Sequence, residues 1–163
     1  SFHVTGVQTC ALPILRDMGV EPFLLSSSLL GVLAQRLVRL LCRECRAAHP
    51  VDARERELLE LGTSDATIYR AVGCRECRQT GFHGRRAIFE WMDSSNEIRQ
   101  LILRNASTDA IRESACRAGM TTLAQDGRRL VEEGVTTIEE VLSVTTVHEM
   151  EAAPHGTAPV PPA

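Results

Sequence analysis

Apolar positions change their spacing several times along the chain, and each change marks an element. In residues 18–25, MGVEPFLL, Pro22 opposes helix and the stretch reads as a short extended approach. Ser26, Ser27 and Ser28 then offer N-caps. Leu29, Leu30, Leu33, Leu37, Leu40 and Leu41 recur at helical spacing, which predicts an amphipathic helix to about Leu41 with Arg36 and Arg39 off its stripe. Asp52 to Leu61 reads as a short helix stopped by Gly62. Thr67 to Val72 and Arg85 to Met92 read as strands flanking a glycine-rich turn.

The second half has helical spacing throughout. Ser95 can cap a helix carrying Ile98, Leu101 and Ile102. Ser107 can cap the next, with Ile111 and Ala115, ending at Gly119. Thr122 to Glu133 makes a third, ended by Gly134. Thr137 and Glu140 have capping-box spacing ahead of Val141 and Leu142. Short connections predict that these four helices pack as a small antiparallel bundle. Residues 147–163, rich in Pro and Ala, read as a disordered tail. At the other end, residues 1–14 (SFHVTGVQTCALPI) have neither period nor a charged n-region, so they are not a signal peptide. Residues 4–14 resemble the translated read of a sequencing-adapter oligonucleotide. The expectation is that 1–14 is an adapter-derived artefact with no defined fold, that Cys10 and His3 carry no chemistry, and that the natural protein extends further upstream.

Composition narrows the function. The chain has 163 residues, 44% of them hydrophobic and only 4% aromatic, so its core is built mainly from aliphatic side chains. All 18 basic residues are Arg. Without lysine there is no Schiff-base chemistry, no lysine general base and no phosphate-loop lysine. The net charge is −3, which does not suggest a nucleic-acid binder. Local charge is uneven: residues 36–86 are net +4 and residues 87–163 net −6. No apolar run reaches the roughly 18 residues of a membrane-spanning helix.

The strongest chemical signal is a pair of Cys-x-x-Cys motifs, Cys42-Arg43-Glu44-Cys45 and Cys74-Arg75-Glu76-Cys77, with 28 residues between them. A two-residue spacer lets both thiolates of a pair face one tetrahedral ion, and two pairs complete a closed, structural site. Gly73, Gly81 and Gly84 allow tight turns that aim N–H groups at the sulfurs, and Arg43, Arg46, Arg75 and Arg78 add positive charge. A disulfide framework, a thioredoxin-like redox pair and an iron–sulfur cluster compete with zinc. The lack of a secretion signal, the two equivalent pairs and the spacing favour zinc. Zinc is expected to staple the end of the Leu29–Leu41 helix to the Arg85–Met92 strand.

Other candidates are weaker. Cys116 reads as a buried free thiol, and His49 and His83 as surface groups or neighbours of the metal site. No Ser–His–Asp set, paired catalytic carboxylates or glycine-rich phosphate loop is recognisable, so these residues alone do not make an enzyme. A free-standing zinc-ribbon adaptor that binds protein or nucleic acid is the alternative reading.

Three stretches carry a family resemblance: residues 18–45 (MGVEPFLLSSSLLGVLAQRLVRLLCREC), 73–92 (GCRECRQTGFHGRRAIFEWM) and 119–145 (GMTTLAQDGRRLVEEGVTTIEEVLSVT). Their order and spacing resemble the C-terminal third of the type II secretion ATPase and its relative, the type IV pilus assembly ATPase. The sequence around Pro22–Ser28 favours the secretion branch. The resemblance implies an α+β, mostly α fold with three parts: the tail of a RecA-like ATPase core (15–41), a tetracysteine zinc module (42–85) and a C-terminal helical subdomain (86–146). It implies that Cys42, Cys45, Cys74 and Cys77 bind structural zinc. It further implies a cytoplasmic homo-hexamer that hydrolyses ATP with magnesium and meets inner-membrane platform proteins. The Walker A and Walker B motifs of such a motor are missing from this chain, so the fragment alone is expected to be inactive.

Overall fold

The structure is a computed structural model and describes residues 12, 14–59 and 67–145. It is mixed α/β. In chain order come α1 (Pro22–Ser28), β1 (Gly31–Leu41), β2 (Ala47–Pro50), α2 (Ala53–Leu58), β3 (Thr67–Arg70) and β4 (Phe82–Asp93). Four helices follow: α3 (Asn96–Leu103), α4 (Thr108–Arg117), α5 (Leu123–Glu132) and α6 (Ile138–Thr145). Gly62 and the tail 147–163 lie outside the described residues. No helix among the described residues is long and apolar enough to cross a membrane.

The leucine-rich segment is a strand, not the expected helix. Leu33 and Leu37 are four residues apart, a spacing that fits one face of a helix and, being even, one face of a strand as well. Ala34 and Val38 occupy the inward face of β1 and are buried, whereas Leu33 and Leu37 point outward. The helix lies earlier, over the stretch expected to be extended. Pro22 opens it at the first turn, where its missing N–H costs nothing.

β1 pairs antiparallel with β4, from Gly31↔Asp93 to Leu41↔Phe82. Between the Arg39↔Arg85 and Leu41↔Phe82 pairs β4 uses an extra residue, and Gly84 there has φ +84°. β2 pairs antiparallel with β3, His49 opposite Ile68. Ser26, Ser27 and Ser28 do not cap a helix but end α1, their hydroxyls donating back to the Phe23 and Leu24 carbonyls. The helix starts expected at Ser95, Ser107 and Thr122 are capped. Ser95 accepts from the Ile98 N–H, Ser107 from Ala110, and Thr122 and Gln125 make a reciprocal capping box. Asp52 and Glu55 make another at α2.

The four C-terminal helices do not form one bundle, because their apolar faces enter two different cores. Leu123, Leu130 and Val131 of α5 and Ile138 and Val141 of α6 pack with Ala34, Val38 and Ile88 of the β1–β4 ribbon. Val51, Leu59 and Ile68, which lie between the cysteine pairs, join that same core. Ile98, Ile102, Ile111 and Ala115 of α3 and α4 pack instead with Leu25 and Met92. Leu12 belongs to this second core and is 3% exposed, and residues 14–17 are helical. The expectation of no defined fold for 1–14 therefore fails at Leu12, whose side chain is buried in the cluster formed by Leu25 of α1, Ile98 and Ile102 of α3, and Ile111 and Ala115 of α4. Residues 1–11 and 13 lie outside the described residues.

Candidate metal centre

Each cysteine pair sits on a tight turn next to the β1–β4 ribbon. Cys42 follows directly on β1, and the Arg46 N–H donates to the Cys42 carbonyl at 3.0 Å. The second turn is closed by the Gln79 N–H on the Cys74 carbonyl at 2.8 Å, with Arg78 and Gln79 in the left-handed region. Gly73 has φ +109°, and a Cβ there would meet the Gln79 carbonyl, so this turn needs glycine. The Cys42 N–H donates to the Gly81 carbonyl at 2.9 Å, which joins the two turns directly.

The four Sγ atoms converge. All lie within 4.8 Å of one another. Cys42 and Cys74 are 3.9 Å apart, Cys45 and Cys77 3.8 Å, and Cys74 and Cys77 3.7 Å, sulfur to sulfur. Four sulfurs each about 2.3 Å from one ion would be separated by about 3.8 Å, so these spacings match a tetrahedral thiolate site. Cys42 and Cys77 are buried and Cys45 and Cys74 partly so.

Backbone donors already face the sulfurs. The Gly73 N–H donates to Cys45 Sγ at 3.3 Å, and the Cys74 and Gly81 N–H groups donate to Cys77 Sγ at 3.1 and 3.2 Å. Two of the three expected glycines thus serve the sulfurs, while Gly84 serves the bulge in β4. Burial opposes charge on the Cys77 thiol, but the donors from Cys74 and Gly81 prevail and bring it down to about 6. Burial drives the Cys45 thiol up to about 11 despite the Gly73 donor. A cluster of thiols held this close is suited to a cation that takes up their charge together. Zinc fits this donor set, and when bound it supplies a redox-inert crosslink between the two turns.

The remaining candidates lie elsewhere. His83 is exposed on β4. His49 Nε2 is 3.0 Å from Glu55 Oε2 and belongs to an α2–β2–β3 cluster with Arg70. Cys116 is exposed, contrary to the expectation of a buried thiol, because the buried face of α4 is carried by Ile111, Ser114 and Ala115.

A latch that the sequence reading missed ties the end of β1 and the first cysteine turn to the α5–α6 region. Glu140 Oε1 accepts the Arg39 backbone N–H at 3.1 Å, and Glu140 Oε2 accepts Arg39 Nε at 3.0 Å and Nη2 at 2.6 Å. Glu140 therefore does not complete the capping box with Thr137, although its own N–H still donates to Thr137 Oγ1. Thr136 Oγ1 donates to the Arg39 carbonyl and the Leu41 N–H to the Val135 carbonyl, both at 2.8 Å. Arg46 donates to the Gly134 carbonyl and stacks over Tyr69, 4.5 Å from the ring centre. The only sequence signal for this latch was that Arg39 lay off the apolar stripe.

A family model described as Type II/IV secretion system protein matches residues 3–143. The type II secretion system protein E of Pseudomonas aeruginosa is 49% identical over 138 residues, which cover 83% of this chain and 27% of that protein. The type II secretion system ATPase E of Vibrio cholerae is 42% identical over 142 residues, covering 86% of this chain and 28% of its own length. The type IV pilus assembly ATPase PilB of Thermus thermophilus is 43% identical, with 83% of this chain and 16% of the relative covered. The chain thus spans little more than a quarter of the type II relatives that it matches.

Proposed function

The chain belongs to the type II/IV secretion system protein family, and from that premise we propose that it is the C-terminal part of a cytoplasmic, hexameric ATPase that powers type II protein secretion. The identity of 49% with a type II secretion system protein E carries this reading. The RecA-like core, the magnesium-dependent ATP site and most subunit contacts belong to the upstream part of the parent protein. Residues 15–41 are the tail of that core.

Cys42, Cys45, Cys74 and Cys77 hold structural zinc in this proposal, and the site leaves no coordination position for water or substrate. Its role is mechanical. A motor passes small displacements at its nucleotide site to its partners through rigid bodies. The turns at Cys42 and Cys74 keep the end of β1 and the start of β4 in fixed relation, and the Glu140 latch carries that relation to α5 and α6. Proteins of the inner-membrane secretion platform are the partners for such a lever.

Reading the DNA that precedes the codon for Leu15, then expressing the complete gene, tests the function. An in-frame GxxxxGK[ST] motif and ATP hydrolysis by the product are expected. A nearby start codon with no such motif would sink the reading and favour a free-standing adaptor. In the complete protein, Cys74→Ser is expected to remove zinc and reduce secretion while leaving nucleotide binding intact. Wild-type secretion by a zinc-free Cys74→Ser protein would refute the mechanical role.

A further inference from the structure

A groove of about 240 Å³ lies where α4, α5 and α6 meet the end of α2. Its floor is apolar, built from Leu58 and Leu59 at the end of α2, Val131 of α5, and Ile138, Val141 and Leu142 of α6. Leu59, Val131, Ile138 and Val141 belong to the core below, while Leu58 and Leu142 are only partly buried at its edge. The lining changes character on the α4 side, which contributes Arg112 and the exposed Cys116. Arg128 of α5 adds a second guanidinium. The groove thus runs between helices of the two cores, α4 from one and α5 and α6 from the other.

An apolar floor beside fixed positive charge suits a ligand that combines apolar anchors with carboxylates. Arg128 pairs within its own helix with Glu132 at 3.3 Å, whereas no described carboxylate pairs with Arg112. The chain itself carries a ligand of this chemistry. Thr145, the last residue of α6, lines the groove, and residues 146–163 continue directly from it. They lie beyond the residues 3–143 that the family model matches. Their first part, Thr146-Val147-His148-Glu149-Met150-Glu151, holds two apolar side chains and two carboxylates, and residues 152–163 add no acid and no Arg. From Thr145 to Glu151 an extended backbone reaches about 20 Å, roughly twice the distance between the axes of packed helices. Attachment at the mouth of the groove also keeps the segment at a high effective concentration there, so modest contacts suffice.

We propose that residues 147–151 dock in this groove, Val147 and Met150 against its apolar floor and Glu149 and Glu151 against Arg112 and Arg128. The docked segment clamps α4 to α5 and α6 and so couples the two cores. The clamp is independent of the ATPase reading.

Cys116 is the reporter, because a segment seated in the groove covers its thiol. In the zinc-loaded 163-residue chain, alkylation by N-ethylmaleimide is followed at Cys116 by peptide mass spectrometry. Tethered docking is expected to slow it at least about 10-fold relative to a chain ending at Thr145, and added salt should narrow the difference. Glu149→Arg/Glu151→Arg keeps the full length and should raise the Cys116 rate to that of the shortened chain. Adding Arg112→Glu to that variant should restore protection. Equal rates in the full and shortened chains overturn the proposal, whether fast, which means an open groove, or slow, which means a cover other than residues 146–163. Protection that grows with protein concentration assigns the groove to a second copy and overturns it as well. So does protection that survives Glu149→Arg/Glu151→Arg. Should the shortened chain fail to fold, the charge-reversed full-length variant decides alone.

Discussion

Glu140 shows how one side chain can be read correctly in spacing and wrongly in role. Its distance from Thr137 fits a capping box, yet its carboxylate crosses to Arg39. The hydrogen bonds from Arg39 outweigh burial and hold the Glu140 carboxyl below its ordinary value. A lowered folded-state pKa means that this contribution is complete above the ordinary carboxylate range and is lost as pH falls through the folded value. Glu140→Gln should therefore flatten the acid limb of the stability curve and cost about 1 kcal/mol at neutral pH, since Arg39 is half exposed and solvent screens the pair. Melting points measured between neutral and acid pH check this; an unchanged acid limb would discount the latch. Gly127 gives a second test. A Cβ there would run into Val141 of α6. Helix propensity alone would favour Ala by about 1 kcal/mol, while overpacking costs about 1–3 kcal/mol. The clash should win, so Gly127→Ala lowers stability in chemical denaturation.

At the scale of elements, β1 separates the two readings of the leucine pattern. Val38 is fully buried, and its neighbour Leu37 points outward. In the 163-residue chain, Val38→Ala should cost about 2 kcal/mol and Leu37→Ala less than about 0.5 kcal/mol. A helix with the leucine stripe inward would reverse that order, so denaturant midpoints for the two variants decide between them. The C-terminal helices were legible because Ser95, Ser107, Thr122 and the glycines after α4 and α5 are local signals. The cysteine turns were legible because the spacing of sulfurs within a pair is itself local. β1 was not, since residues four apart satisfy both periods and the pairing that decides between them is with β4, some fifty positions away. The division of the helices between two cores was hidden for the same reason. Nothing in the sequence of α3 or α5 says which end of the ribbon's inward face each will meet.

For the whole molecule, the segment between the cysteine pairs and the helices α5 and α6 share one core. Val51, Leu59 and Ile68 pack with Leu130, Ile138 and Val141. Removing metal with a chelator under reducing conditions should therefore lower the melting point and raise hydrogen exchange in α5 and α6 as well as in the cysteine turns. Structural zinc can contribute roughly 10 kcal/mol or more, enough to set the stability of the shared core. The α3–α4 pair lies in the other core and should respond less. Equal loss of protection in both helix pairs would contradict this division. Leu41 and Phe82 are paired strand neighbours, so everything from Cys42 to Gly81 enters and leaves the ribbon at one point. In an evolving lineage such a segment behaves as a cassette. It can lengthen, shorten or be exchanged without moving the strands that carry it, provided that its replacement still offers apolar side chains where Val51, Leu59 and Ile68 now stand.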